Sequence, residues 1–452
     1  MKSAIFRLLG VNLVSTALNM ITAFLLPKFL TIEGYGYVKT YQFYLMYVGL
    51  LHLGYIDGIY LEYGGKNYSD IDTRKVTEEL YNFVWIQFLI CILFLTVVLI
   101  KNDIVFWALL FTILPYNLIT YVRMFLQATG EFKRYSKILL LTTFMLFLVN
   151  VGLILLKKEY IYFIVSYCII YYILMLASVV LLKEKVRIQA HNFDISCIKK
   201  YITSGMPLMV GNFAGVLYTG LDRWVIQIYF DINYFAYYSF AVSVMNMLET
   251  FLSPITITLY NYFSLSQENE SYKSVKSGLT ILGFGLLSGV FFIKKIIQLF
   301  LPKYSLSINI CFILSVAYIL MTIIKGVYVN LYKVQKKQKK YLVKMVIALA
   351  VELVLNWVAV MFFHTSESVA FCTILGVVFW EYLCLKDYPE LKATCAELFY
   401  KAILIIVFLV FGFCLPAEWG FVLYLAIYVG MSFLIYRKQI NLKQIFFSNQ
   451  TN

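Results

Sequence analysis

The sequence predicts an all-α integral membrane protein of about 14 transmembrane helices, two parallel six-helix lobes around a central cavity plus two C-terminal helices. Three observations lead there. Of 452 residues, 62% are hydrophobic and 14% charged, an apolar excess that a water-soluble domain would have to expose. Apolar runs of roughly 17 to 25 residues recur along the chain, each long enough to cross a hydrocarbon core about 30 Å thick. Finally, Lys and Arg concentrate on alternate connections, and features of the first half of the chain return in the second.

The first run, Ile5 to Leu30, has no small-residue cleavage site before the next one and reads as a helix rather than a signal peptide. Tyr37 to Tyr60, Phe83 to Ile100, Ile104 to Leu126, Ile138 to Leu156 and Ile161 to Leu182 complete the N-terminal lobe, residues 1–182. The basic connector Lys183 to Lys200 reads as a cytoplasmic hinge. Beyond it come Gly205 to Phe230, Phe235 to Tyr260, Ser277 to Ile293, Leu306 to Leu331, Leu342 to Phe363 and Val369 to Leu385, forming the C-terminal lobe, residues 201–385. Residues 386–452 hold two additional spans, Phe399 to Leu415 and Phe421 to Tyr436, and a tail. Pro115 and Pro254 fall inside spans and should bend them.

Positive loops are retained in the cytoplasm. With the N-terminus inside, 28 Lys and Arg residues fall on inner segments and 8 on outer ends, leaving only Arg223 and Lys325 within spans. The split places both termini in the cytoplasm, and it accounts for most of the formal charge of +14 without nucleic acid. Anionic lipid headgroups suit that charge better.

Several classes of function find no support. No connection is much longer than about twenty residues, so a soluble catalytic domain has no room. The eight cysteines form no CxxC pair. His52, His191 and His364 lie in separate segments without ligand spacing, so no metal is expected. Gly64, Gly65 and Lys66 lack the first glycine of a phosphate-binding loop, so neither is ATP.

An ungapped offset of 200 aligns Asn12 with Asn212, Phe29 with Tyr229, Ile32 with Ile232 and Tyr37 with Tyr237. An offset of 206 aligns Tyr135 with Tyr341 and Asn150 with Asn356, after two basic loops. Spans one to six thus repeat as seven to twelve, and because six is even the copies are parallel.

FLTIEGYGYVKTYQF after the first span, FLQATGEFKRYSK at Phe125 to Lys137 and KKQKKYLVKMVIALAVELVLNWVAV at Lys336 to Val360 resemble, in that order, loops of the polysaccharide flippases. These belong to the multidrug/oligosaccharidyl-lipid/polysaccharide exporter superfamily, and the resemblance is nearest to O-antigen flippases. It implies a transporter, not an enzyme, in the bacterial plasma membrane. Its implied work is to move undecaprenyl-diphosphate-linked oligosaccharide, an O-antigen or capsular repeat unit, to the outer face by alternating access. Implied partners are the lipid-linked oligosaccharide, membrane lipids, and the polymerase and other polysaccharide assembly proteins. The coupling cation, sodium or proton, stays open. So do a lipid II flippase, which shares the two extra spans, and a multidrug/cation antiporter, which would prefer acidic residues where Arg223 and Lys325 stand. The short outer loops argue against a membrane glycosyltransferase or O-antigen polymerase.

A polar stripe facing lipid is costly, so such stripes should point inward. The first span carries Asn12, Ser15, Thr16, Asn19 and Thr22 at helical spacing. The second carries Thr40, Tyr44 and Tyr47 with His52 and Asp57 nearby, the seventh Asn212, Asp222 and Arg223, the eighth Ser239, Ser243, Asn246 and Thr250 beside Glu249, and the tenth Ser315, Tyr318, Thr322 and Lys325. For any single Ser, Thr or Asn, an ordinary helix-to-helix hydrogen bond worth about 0.6 kcal/mol is the simpler reading. Together the stripes suggest a hydrated wall suited to sugars. Arg223, whose guanidinium fits phosphate oxygens bidentately, is expected to meet the substrate diphosphate with Lys325 as a second positive charge. The steps Gly211–Gly215 and Gly285–Gly289 read as close helix packing. Glu352 and Glu381 read as cation-coupling groups or as partners of a nearby Lys.

Overall fold

The computed structural model describes residues 2–186, 193–265 and 269–436; Arg187 and His191 of the connector and Arg437, Lys438 and Lys443 of the tail lie outside them. Helices α1 (Lys2–Phe29), α2 (Ile32–Val48), α3 (Tyr55–Tyr63), α4 (Thr73–Lys101), α5 (Ile104–Ala128), α6 (Phe132–Leu155) and α7 (Tyr160–Leu181) are followed by the long α8 (Ile195–Tyr229) and α9 (Ile232–Leu265). Then come α10 (Asn269–Leu287), α11 (Gly289–Phe300), α12 (Ser307–Ile323), a π-helical segment (Ile324–Val329), α13 (Asn330–Val334), α14 (Gln338–Phe362), α15 (Ser366–Leu385), α16 (Cys395–Cys414) and α17 (Ala417–Tyr436). No strand occurs among the described residues. In hydrocarbon every backbone group must be satisfied within its own segment, and helices do that.

Short polar punctuation sets the ends. Thr31, Asp72, Asp103 and Thr365 each accept an N–H of the first turn of the helix that follows, and Thr394 with Glu397 forms a capping box at α16. Left-handed residues stop others: Asn102 after α4, Lys157 near the end of α6, Lys336 after α13 and His364 after α14, with φ of 43°, 51°, 55° and 47°.

Eleven helical segments among the described residues are long and apolar enough to span a membrane, with mean hydropathies of 1.4 to 2.9. The three remaining expected spans fall on α2–α3, α8 and α9. The expected span Tyr37 to Tyr60 is not continuous: α2 ends at Val48, and a turn of residues 49–54 separates it from α3. The reason is local, since Leu53 and Gly54 take φ of 52° and 82°, which no helix continues. The expected ninth span is likewise jointed at Ser288, between α10 and α11. By contrast α5 runs through Pro115 without a break.

The described residues form two compact units, divided between Val216 and Leu217 inside α8. In the first, α5 is the central helix, packed by α2, α3, α4 and α7, while α1 lies along α6. Asn117 donates to Gln87 Oε1 at 2.8 Å and to the Val48 carbonyl at 3.2 Å, and Tyr41 bonds Thr112 at 2.9 Å, so the polar groups of these spans pair between helices. In the second, α12 is central and almost wholly buried, packed by α9, α10, α15 and α16. The fourth span of each sixfold set therefore holds the same central place. The last two helices belong to this core: Tyr424 and Tyr428 of α17 donate to the carbonyls of Phe284 and Ile281, and buried Lys294 of α11 caps α16 through the Gly412 and Leu415 carbonyls at 2.6 and 2.8 Å.

Of the two glycine steps, close packing holds at Gly285 alone, where an added Cβ would stand 2.8 Å from the Tyr428 hydroxyl. Gly211, Gly215 and Gly289 would meet nothing within 4 Å. The tight approach lies elsewhere. A Cβ at Gly58 would be 2.2 Å from the Tyr201 carbonyl, and one at Gly205 2.0 Å from that of Gly54, so α3 and the start of α8 touch backbone to backbone.

Candidate functional site

Within the first unit the left-handed turn before α3 brings two expected residues together. His52 Nδ1 accepts the Gly54 N–H at 3.0 Å, which leaves Nε2 3.7 Å from Asp57 Oδ2, with both side chains buried. Asn12, Asn19 and Asn212 are exposed on α1 and α8, whereas Tyr44 is half-buried against Phe43 and Phe106 and reads as packing. Thr22 and Thr40 donate back to carbonyls four residues earlier on their own helices.

One carboxylate there escaped the sequence reading. Glu79 of α4 is 1% exposed and accepts the Tyr63 hydroxyl at 2.8 Å and the Tyr201 hydroxyl, while Tyr55 donates to its backbone carbonyl at 2.9 Å. Beside it Glu62 receives Lys200, Lys75 and Lys66 at 2.9, 3.0 and 3.1 Å. Those hydrogen bonds, that of Lys200 foremost, hold the Glu62 carboxyl down at about 2. The described ends of the expected connector are held as well: Lys185 donates to the Ser69 and Ile71 carbonyls, and Asn82 accepts the Asp194 N–H at 3.0 Å. Glu79 sits in TRKVTEEL, just ahead of the apolar run, and nothing local in the sequence marks it as buried.

In the second unit Asp222 is buried and accepts the Arg223 backbone N–H at 2.7 Å and the Tyr238 hydroxyl at 2.8 Å. Its carboxylate is thus committed to backbone and tyrosine, while the half-buried Arg223 side chain starts from the next position of the helix. Lys325, on the π-helical segment, forms an ion pair with Glu249. Three residues before Glu249, exposed Asn246 accepts the Tyr318 hydroxyl at 3.5 Å. One polar patch therefore joins Asn246, Glu249, Tyr318 and Lys325, and π-helical turns recur at functional sites. Ser243, Thr250, Ser315 and Thr322 bond within their own helices.

The two late-span carboxylates part ways. Glu381 accepts Lys276 at 2.9 Å and Lys401 at 3.4 Å, which is the lysine-paired alternative. Glu352 and Asn356, one turn apart on α14, are both wholly buried; the Tyr218 hydroxyl stands beside Glu352, and no well-formed hydrogen bond reaches their four side-chain polar atoms among the described residues. Gly376 of α15 lets the Glu352 side chain lie against its backbone, where a Cβ would be 3.0 Å away. Removing a carboxylate from water is far costlier than removing an amide unless a proton, a cation or a donor meets it.

No curated protein matches the sequence. Among solved structures, the fold is similar to that of the lipid II flippase MurJ in an inward closed conformation, with a TM-score of 0.75 and 14% identity over 96% of this chain and 99% of that one. A Vibrio cholerae MATE transporter aligns over 86% of this chain and 97% of its own at 11% identity, with a TM-score of 0.44. At 14% identity the flippase likeness shows a common fold and carries no residue across. The family profile described as polysaccharide biosynthesis protein matches residues 2–267, more than half of the chain, in agreement with the exporter resemblance of the loops. This multi-pass membrane protein belongs to the polysaccharide biosynthesis protein family.

Proposed function

We propose that the protein is a flippase for undecaprenyl-diphosphate-linked oligosaccharide, an O-antigen or capsular repeat unit, carrying it from the cytoplasmic to the outer face of a bacterial plasma membrane by alternating access. The family match over residues 2–267 carries the reading. The polar groups on both units support it, since sugar hydroxyls need many donors and acceptors. Arg223 meets the diphosphate in this proposal, and Lys325 joins only when its pair with Glu249 opens. The test is glycan display in cells lacking the chromosomal gene. Arg223→Ala at normal membrane levels should abolish display and Arg223→Lys should retain part of it. Full display with Arg223→Ala would overturn the role of the guanidinium, and rescue of cells depleted of their lipid II flippase would overturn the choice of glycan.

A sodium ion or proton drives the cycle in this proposal, taken up at Glu352 and Asn356, the wholly buried polar pair beside Tyr218. Glu352→Gln should remove the sensitivity of display to ionophores that collapse the cation gradient. Unchanged sensitivity in that variant would place coupling elsewhere.

A further inference from the structure

A second site lies in the C-terminal unit, away from every residue assigned to transport. A cavity of about 460 Å³ opens among the first turns of α10 and α16, the last residue of α17 and the loop before α16. Its lining is rich in ammonium groups: Lys273, Lys276, Lys392 and Lys401 against Glu270 and Glu397.

Four ammonium groups face three carboxylates, Glu270 and Glu397 of the lining and Glu381 behind it, so one positive charge is left over. Glu397 is spent on the capping box, with Oε2 on the Thr394 N–H at 2.8 Å, and takes the Ser277 hydroxyl at 3.5 Å. Lys276 and Lys401 share one carboxylate oxygen of Glu381, at 2.9 and 3.4 Å, so two ammonium groups meet a single negative charge in a largely buried network. Lys276 is fixed further by the Tyr328 hydroxyl at 2.6 Å and the Leu391 carbonyl at 3.0 Å. At the mouth Lys273 and Lys392 are exposed, and among the described residues neither forms an ion pair. A surplus of positive charge held in a cavity seeks an anion with several acceptor oxygens, and a phosphate ester fits that description.

The surroundings identify which kind. Leu398 and Phe399 on the first turn of α16 and Phe433 and Leu434 on the last turn of α17 are 54%, 61%, 58% and 76% exposed, apolar surface for acyl chains beside the basic cavity. We infer that this cavity binds the phosphate headgroup of an anionic phospholipid, in the leaflet that the positive-inside count assigns to the cytoplasm. This binding is independent of the proposed substrate, and only the name of the leaflet rests on the charge count.

The experiment uses the purified full-length protein in detergent, with unfolding followed by tryptophan fluorescence while dihexanoyl phosphatidylglycerol, dihexanoyl phosphatidylcholine or inorganic phosphate is titrated. Phosphatidylglycerol should raise the midpoint saturably, phosphatidylcholine should not, and the exposed-site double variant Lys273→Gln/Lys392→Gln should bind about tenfold more weakly while unfolding normally without lipid. An equal response to inorganic phosphate would overturn the lipid and leave a free-phosphate site. No saturable response, or one unchanged in the double variant, would overturn the site itself.

Discussion

At the scale of residues, buried charge separates what sequence reveals from what it hides. Arg223 and Lys325 stood out because each is a base inside an apolar run, and Asp57 because it lies near one end of such a run. Glu79 did not stand out: its partners Tyr63 and Tyr201 come from other helices, 16 and 122 residues away in sequence. Glu249 stands beside the stripe of its own helix in the sequence, and its pairing with Lys325 exists only where the two helices meet. Glu62, outside the membrane spans, offers a measurable consequence. Its carboxyl is held at about 2 in the folded protein, below the ordinary value of 4.5, by Lys200, Lys75 and Lys66. A lowered folded value means that the stabilisation is complete above about pH 4.5 and fades as the pH falls from there towards 2. Thermal midpoints of purified wild type should therefore decline across that acid window more steeply than those of Glu62→Gln, and the two curves should run parallel above pH 6. Parallel curves throughout would show that the lysine cluster contributes nothing to stability.

At the scale of elements, the helical periodicity and charge pattern were legible, and the joints within helices were not. The break between α2 and α3 depends on two left-handed residues in the run LHLGYID, which hydropathy reads as uninterrupted span. Glycine spacing misled for a related reason, because a GxxxG step states that a groove exists and not that a neighbour fills it. Gly58→Ala and Gly205→Ala should each cost several kcal/mol or prevent folding, since their Cβ atoms would stand 2.2 and 2.0 Å from backbone oxygens that cannot retreat singly. Gly211→Ala should be neutral or stabilise by up to about 1 kcal/mol, because the new methyl meets open space in a helix interior. Fluorescence-detected gel filtration of heated membranes distinguishes the outcomes; a well-folded Gly205→Ala protein would show that α3 and α8 separate more readily than their contact implies.

For the whole molecule, the alternation of basic connections is the basis of the expected orientation, while the central places of α5 and α12 in their units are visible only in the fold. The charge split makes a direct prediction: in intact cells an impermeant thiol reagent should label Asn102→Cys but not Lys337→Cys, in a background without native cysteines. Reversed labelling would invert the orientation. The polar character of α8 and α9 reaches beyond transport, to the making of the protein. Of the 11 segments apolar enough to span by themselves, none falls on these two helices. Asp222, Arg223 and Glu249 make each a poor candidate for partitioning into lipid alone. Only the two residues Phe230 and Asp231 join them, so they can leave the translocon as one hairpin, with the Asp222–Tyr238 hydrogen bond already available to it. Biogenesis then waits on a pair rather than on a sequence of single helices: a chain in which a polar spacer replaces everything after Tyr229 should leave α8 outside the bilayer, whereas the same spacer placed after Leu265 should let α8 and α9 insert together.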